Sequence, residues 1–279
     1  MIVSVSRRCD IPRFQFDWFM ERVNEGFVEV TNPYNARQIK RVSLLPAGEN
    51  MKLGDEVDLF VFWTRDPRHI LANADELTKQ GFLFYVMVTA TGYPNVLEPD
   101  MASVSEVLSA MKELAQKIGA DRVIWRYDPI LLSSITDENF HRRNFNELAQ
   151  ELAGSVRRVI ISVYDEYRET RMRLFELERT GKLQMLDSND GLAELLTDLA
   201  KSAKAAGMEI QSCAEKEDFS SLGINPGACI DAALIKKLFG LEFSGKDKNQ
   251  RPNCLCCKSV DIGSYGTCEA RCVYCYAWR

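Results

Sequence analysis

Residues 82–90 read "FLFYVMVTA", apolar throughout except for Thr89. A strand with one wet face alternates polar and apolar residues, whereas a strand covered on both faces reads as a continuous apolar run. The next long stretch, "SVSEVLSAMKELAQKI" at 103–118, carries its apolar residues at helical spacing. Ser103 and Glu106 stand as a capping box at its start, and Gly119 lies just past its end. "RVIWRYD" at 122–128 is again nearly all apolar at its centre. A doubly covered strand, an amphipathic helix and another such strand predict a parallel pair with the helix packed across it.

The same alternation extends in both directions. "IVSVS" (2–6), "DLFVFWT" (58–64), "RVIISVYD" (158–165), "MEIQSC" (208–213) and "SVDIGSY" (259–265) read as further strands. "QFDWFMERVNEG", "DENFHRRNFNELAQELAG" and "GLAELLTDLAKSAKAAG" read as helices that end in glycine. Repeated β-then-α units in 279 residues predict an α/β fold, specifically a (β/α) TIM-like barrel, full or partial, with an open doubly wound sheet as the alternative. "FVEVTNPYNARQIKRVSLLP" at 27–46 reads as an inserted β-hairpin. The expected division is a barrel body over 1–243 and a cysteine-rich segment over 244–279 that contributes the last strand.

Composition narrows the function classes. Apolar residues make up 46% and charged residues 27%, as in ordinary globular chains. A formal charge of −5 argues against clamping nucleic acid by net charge. No run approaches the roughly 20 apolar residues of a membrane span, and the opening "MIVSVSRRCDIPRF" lacks an export signal, so the expected location is cytoplasmic. There is no G-x-S-x-G, no phosphate-binding Walker loop and no G-x-G-x-x-G opening a helix, which removes the usual support for hydrolase, phosphoryl-transfer and dinucleotide chemistry. The two histidines, His69 and His141, are expected at the surface of helical regions.

Polar residues gather at one end of the strands: Ser6-Arg7-Arg8, Thr64-Arg65, Thr89 and Thr91, Arg126 and Asp128, Tyr164-Asp165, and Ser212-Cys213 with Glu215. In a parallel barrel that end is where active sites are built. Within "WRYDP", Arg126 and Asp128 share one side of the strand by the period of two. Two readings stay open: a guanidinium and carboxylate facing a pocket and binding a carboxylate or substrate anion, or an ion pair closing the rim. Arg7 and Arg8 invite the same two readings.

Nine cysteines in a chain without an export signal point to ligands or buried thiols rather than disulfides, and six of them fall between 254 and 275. Cys268, Cys272 and Cys275 form C-x3-C-x2-C, ending in "VYCYAWR". Three thiolates can hold an iron–sulfur cubane by three irons and leave the fourth open, whereas structural zinc closes its shell with four protein ligands. Cys213, Cys229, Cys254 and Cys256 are expected to converge on a second, fully ligated centre, read as iron–sulfur in preference to zinc, with Cys257 able to replace Cys256. Cys9 follows two arginines and is either reactive or an inward-facing loop residue.

C-x3-C-x2-C with an aromatic, Tyr274, immediately before the third cysteine resembles the cluster motif of the radical S-adenosylmethionine (SAM) superfamily. That resemblance implies a full or partial (β/α) barrel and a [4Fe–4S] cluster on Cys268, Cys272 and Cys275. It also implies SAM chelated at the open iron, with Tyr274 and Arg126 in the cofactor pocket. Cleavage of SAM would yield a 5′-deoxyadenosyl radical acting on an unknown small-molecule or peptide substrate, with a reductant such as flavodoxin or ferredoxin as partner. Superfamily members usually carry the motif after their first strand, so its place here implies a circular permutation in which "SVDIGSY" takes that role and "IVSVS" follows it. Through "SRRCDIP", "NPYN", "VFWTRDP", "WRYDPILL" and the cysteine-rich tail, the whole chain also resembles a bacterial family of unknown function. The competing expectations are an iron–sulfur electron carrier or redox sensor, and a non-catalytic zinc-binding protein.

Overall fold

The computed structural model describes residues 1–48, 56–187, 191–248 and 250–278. β1 (Ile2–Val5) is buried throughout and leads into the short helix α1 (Ile11–Phe14) and α2 (Phe16–Glu25). Gly26 ends α2 at φ 79°, a left-handed value that favours glycine. The hairpin follows as β2 (Phe27–Asn32) and β3 (Asn35–Ser43), antiparallel and largely exposed, turning at Pro33 and Tyr34.

From there strand and helix alternate: β4 (Leu59–Thr64), α3 (Arg68–Lys79), β5 (Phe84–Thr89), α4 (Val104–Ile118), β6 (Val123–Ile130), α5 (Glu138–Leu152), β7 (Arg158–Val163) and α6 (Arg168–Arg179). α7 (Leu192–Ala205), β8 (Glu209–Cys213), β9 (Asn225–Gly227), α8 (Ala232–Phe239) and β10 (Val260–Asp261) complete the chain. The capping box of α4 is present as expected: the Ser103 hydroxyl accepts from Glu106 N, and the Glu106 carboxylate accepts from Ser103 N at 3.2 Å.

Eight strands form one parallel sheet in the order β10-β1-β4-β5-β6-β7-β8-β9. From β1 to β9 the order advances without reversal, and β10 returns to the remaining edge of β1. Among the described residues the ladder ends at β10 and β9.

Both faces are covered, which accounts for the continuous apolar runs. On one, Phe60, Phe62, Phe84 and Trp125 pack against residues of α2, α3, α4, α5 and α7, with the Phe19 ring edge-on to Phe60 and Phe62 at 5.3 and 5.5 Å. Each such ring removed from water stabilises the fold by about 1.5–3 kcal/mol. On the other, Leu59, Val61, Tyr85, Met87, Ile124 and Ile160 meet α8 through Leu234 and Ile235, together with Cys213, Cys229, Cys254, Cys256 and Cys257. No helix among the described residues is long and apolar enough to cross a membrane.

Two expectations are corrected. The strand expected over 259–265 pairs only at Val260 and Asp261; beyond them Gly263 passes so close to the residues after β1 that a Cβ there would lie 2.1 Å from Ser6 Oγ and 2.7 Å from Cys9 Sγ. β9, with the sequence Asn-Pro-Gly, is a strand the sequence did not announce; it needs only one partner, and an edge tolerates Pro226. His141 is buried rather than at the surface: its Nδ1 lies 2.8 Å from Tyr127 Oη and its Nε2 3.2 Å from the Leu131 carbonyl. His69 is exposed, as expected.

Candidate functional site

A cavity of about 610 Å³ lies over the C-terminal ends of β1, β4, β5, β6, β7 and β8 and is walled on its remaining side by the tail. The polar residues read at the strand ends converge here: Arg7, Arg8, Arg65, Arg126, Asp128 and Asp165 all line it. Seven cysteines line it as well, namely Cys213, Cys229, Cys254, Cys256, Cys268, Cys272 and Cys275 together with Cys9 as an eighth, while Cys257 does not.

β10 is held against β1 by Asp261. Its carboxylate accepts from Ser4 Oγ at 2.8 Å, Ser6 Oγ at 2.5 Å, Arg7 N at 2.8 Å and Gly263 N at 3.0 Å. The guanidinium groups of Arg7 and Arg8 stand 3.7 and 4.0 Å from the same carboxylate, and Arg7 also donates to Ser259 Oγ at 2.9 Å. Both arginines line the cavity, yet both are engaged in this clasp, which is the rim-closing reading of the two. Burial pushes the Cys9 thiol pKa up, which favours the inward-facing loop residue over a reactive thiolate.

Arg126 and Asp128 form an ion pair, and Ser162 Oγ donates to Asp128. The Arg126 guanidinium lies 4.9 Å from the Trp63 ring centre, with that of Arg7 at 5.9 Å. Trp63 is 7% exposed, and its indole N–H, like Arg126 Nε and Arg65 Nε, is buried without a protein acceptor. The donors left over in this cavity therefore suit a ligand rich in acceptor oxygens or nitrogens.

Around the C-x3-C-x2-C run, Arg65 is the hub. Its guanidinium donates to Glu98 Oε1 at 2.5 Å, Thr91 Oγ1 at 2.6 Å and Tyr274 Oη at 2.9 Å, and Tyr274 also donates to Glu98. The hydroxyl of Tyr274, expected in the cofactor pocket, is thus used to seat the cysteine loop. Arg173 on α6 donates to the Cys275 carbonyl at 2.6 Å, and Cys275 N donates to the Cys272 carbonyl at 3.0 Å. Burial pushes the thiols of Cys268 up to about 11 and of Cys272 up to about 12. Backbone N–H groups of Ala270 and Asp10 point to Cys268 sulfur, and that of Ala277 lies 3.4 Å from Cys275 sulfur. N–H···S contacts of this kind support thiolate ligands, and they reach Cys268 and Cys275; Cys272 sulfur instead lies 4.0 Å from the Ala270 carbonyl, and among the described residues the three thiols do not stand as a finished metal cage. Arg65 and Thr91 were read at the strand ends but not as partners of the cysteine run, and Glu98 lay outside the expected site. The arginine directly after a six-residue apolar strand was the available signal; Glu98, in an irregular loop, offered none.

The second set also comes together. Cys213 and Cys229 sulfurs are 3.3 Å apart, and Cys256 is hydrogen-bonded to both Cys229 and Cys254, which holds Cys256 well below the usual thiol range. Cys256 sulfur accepts from Ile230 N at 3.3 Å, whereas Cys257 donates to the Ile230 carbonyl at 3.4 Å. Cys256, not Cys257, therefore belongs to the thiol group. The Cys213–Cys229 contact joins two of the four thiols directly, and among the described residues no three Cys, His, Asp or Glu side chains stand as a finished metal cage.

Tyr34, at the hairpin tip and 92% exposed, lines the mouth of the cavity with Pro33. This contact links the inserted hairpin to the site. Among curated proteins none matches the chain significantly. The model of one family matches residues 2–277, almost the full length, and the chain accordingly belongs to the family described as a domain of unknown function, DUF1848.

Proposed function

We propose that the protein is an iron–sulfur enzyme of radical-SAM type, in which Cys268, Cys272 and Cys275 hold a [4Fe–4S] cluster with one iron open to SAM. The observation that carries this reading is the pairing of β10 with β1, since it brings the C-x3-C-x2-C loop over the same strand-end cavity that Arg126 and Arg65 enter. In this reading the sheet is a partial barrel, supported by the cavity's being lined from six successive strand ends and by the non-reversing strand order.

The bound cluster would supply the electron that cleaves SAM to the radical that takes hydrogen from the substrate. The chain's own residues bind, orient and exclude water. Arg65, fixed by Glu98 and Tyr274, holds positive charge beside Cys272 and stabilises its thiolate form. Arg173 fixes the loop through the Cys275 carbonyl. Arg126, stacked on Trp63, offers Nε to an acceptor group of the ligand. Cys213, Cys229, Cys254 and Cys256 form a second metal centre on the opposite wall.

Anaerobic purification tests the reading. The expected protein is brown, with iron and labile sulfide that disappear on substitution of Cys268, Cys272 or Cys275 by alanine. SAM should perturb the EPR signal of the reduced protein and yield 5′-deoxyadenosine. Iron and sulfide without either SAM response would identify an electron carrier, and a colourless protein holding only zinc would sink both.

A further inference from the structure

We infer that Cys213, Cys229, Cys254 and Cys256 bind a single tetrahedral ion of the zinc type, not an iron–sulfur cluster, so that this side of the cavity is redox-inert. This rests on reading the second thiol set as a metal centre and is independent of what Cys268, Cys272 and Cys275 hold.

Spacing decides the metal. Four sulfurs around one ion at about 2.3 Å stand about 3.8 Å from one another, whereas a cubane gives each ligand sulfur its own iron and holds the sulfurs much farther apart. Cys213 and Cys229 sulfurs are 3.3 Å apart, too close for each to sit on its own iron, and Cys254 and Cys256 are buried in the same apolar cluster and line the same cavity. Closing the four into a tetrahedron takes side-chain rotation and shifts of a few tenths of an ångström at that pair. Inserting a cubane takes separation by ångströms.

The backbone resists the larger movement. The Cys229 carbonyl accepts from Tyr85 Oη at 2.6 Å, and Cys257 N donates to the Ile230 carbonyl at 3.0 Å. Asp247 N donates to the Cys256 carbonyl at 3.0 Å, and Cys254 N to the Arg251 carbonyl at 3.0 Å. Tyr85 is itself fully buried in β5, so the loop is fastened to the middle of the sheet. All four thiols are buried, between 2% and 8% exposed, which suits a closed shell with no open coordination position.

Charge balance agrees. Binding a divalent ion to four thiolates releases the remaining thiol protons to solvent and leaves a net charge of −2, a balance that follows from thiolate ligation. Three arginines, Arg7, Arg126 and Arg251, line the same cavity as these sulfurs. The N–H of Ile230 adds a hydrogen bond to Cys256 sulfur. These groups offset the charge of the loaded site without any redox step.

The experiment is metal analysis of the full chain purified anaerobically, wild type beside Cys254→Ser, Cys213→Ser and, as a control, Cys257→Ser. The expected result is about one zinc per chain in the wild type and the control, lost to background in the other two while iron is unchanged. Titration of the metal-free wild type with cobalt(II) should give the intense thiolate-to-cobalt absorption of a four-sulfur tetrahedral site, and this needs no variant to fold. The proposal is overturned if the two variants lose iron and labile sulfide with no zinc present. A non-reduced mass lower by two hydrogens, marking a Cys213–Cys229 disulfide, would overturn it too, as would cobalt spectra lacking the thiolate bands. Loss of iron from Cys268, Cys272 or Cys275 variants bears on the preceding reading alone.

Discussion

Asp261 is one carboxylate answering four hydrogen-bond donors and two guanidinium groups. Asp261→Ala leaves Arg7 with Asp247 alone, at 3.6 Å, and takes the carboxylate from Arg8, and breaking such a partly buried pair costs about 3 kcal/mol. Chemical denaturation should show a midpoint shift of that size with little change in slope. His141 sets a pH dependence. Burial holds its pKa at about 4, below its ordinary 6.5, so the folded state favours the neutral ring. Its contribution is complete above pH 6.5, shrinks as pH falls towards about 4 and is absent below, a loss on the order of 3 kcal/mol. Thermal melts between those limits should steepen with acid in the wild type and flatten in His141→Gln. The histidine's burial was illegible beforehand because its partners, Tyr127 Oη and the Leu131 carbonyl, come from the neighbouring strand and the loop that follows it.

Elements were legible where local rules agree with burial. β4, β5 and α4 announce themselves because six-residue apolar runs, helical spacing and a capping box all act within one segment. Ser103→Ala, which deletes the hydroxyl that accepts from Glu106 N, should cost about 1 kcal/mol, read as a small drop in melting temperature without change in the visible spectrum. β9 and the true extent of β10 were hidden because each is defined by a neighbour: three residues on the edge of β8, and two beside β1. Gly263→Ala tests the second point. Its Cβ would meet Ser6 Oγ at 2.1 Å, so Ser6 must abandon Asp261 or β10 must withdraw. The tail should become protease-sensitive while the helices keep their far-ultraviolet signal.

At the scale of the molecule, the sequence displayed the convergence of arginines and cysteines on one rim, since strand ends in a parallel sheet share a side. It did not display which arginines are spent on structure: Arg7, Arg8 and Arg65 each close a network whose acidic partner lies at least 30 residues away. The thiol quartet was readable as a group, but its spacing was not. Tyr34 belongs to this scale too, because the hairpin that carries it pairs as a separate two-stranded sheet yet reaches the cavity mouth. Tyr34→Ala should leave stability within about 0.5 kcal/mol of the wild type, as exposed sites do, while weakening the SAM binding proposed above, measured by calorimetry.

The pairing of Val3 with Val260 joins residues 257 positions apart. During synthesis the first strand waits with one edge bare until β10 has left the ribosome, and a pairing at such sequence separation is the kind of non-local contact that slows folding. The rim sulfurs of 268–275 are therefore assembled last, onto a body already formed. If these sulfurs hold the cluster proposed above, its insertion is the final step of maturation, and a cellular shortage of iron should accumulate a folded chain with a loose tail rather than an aggregate.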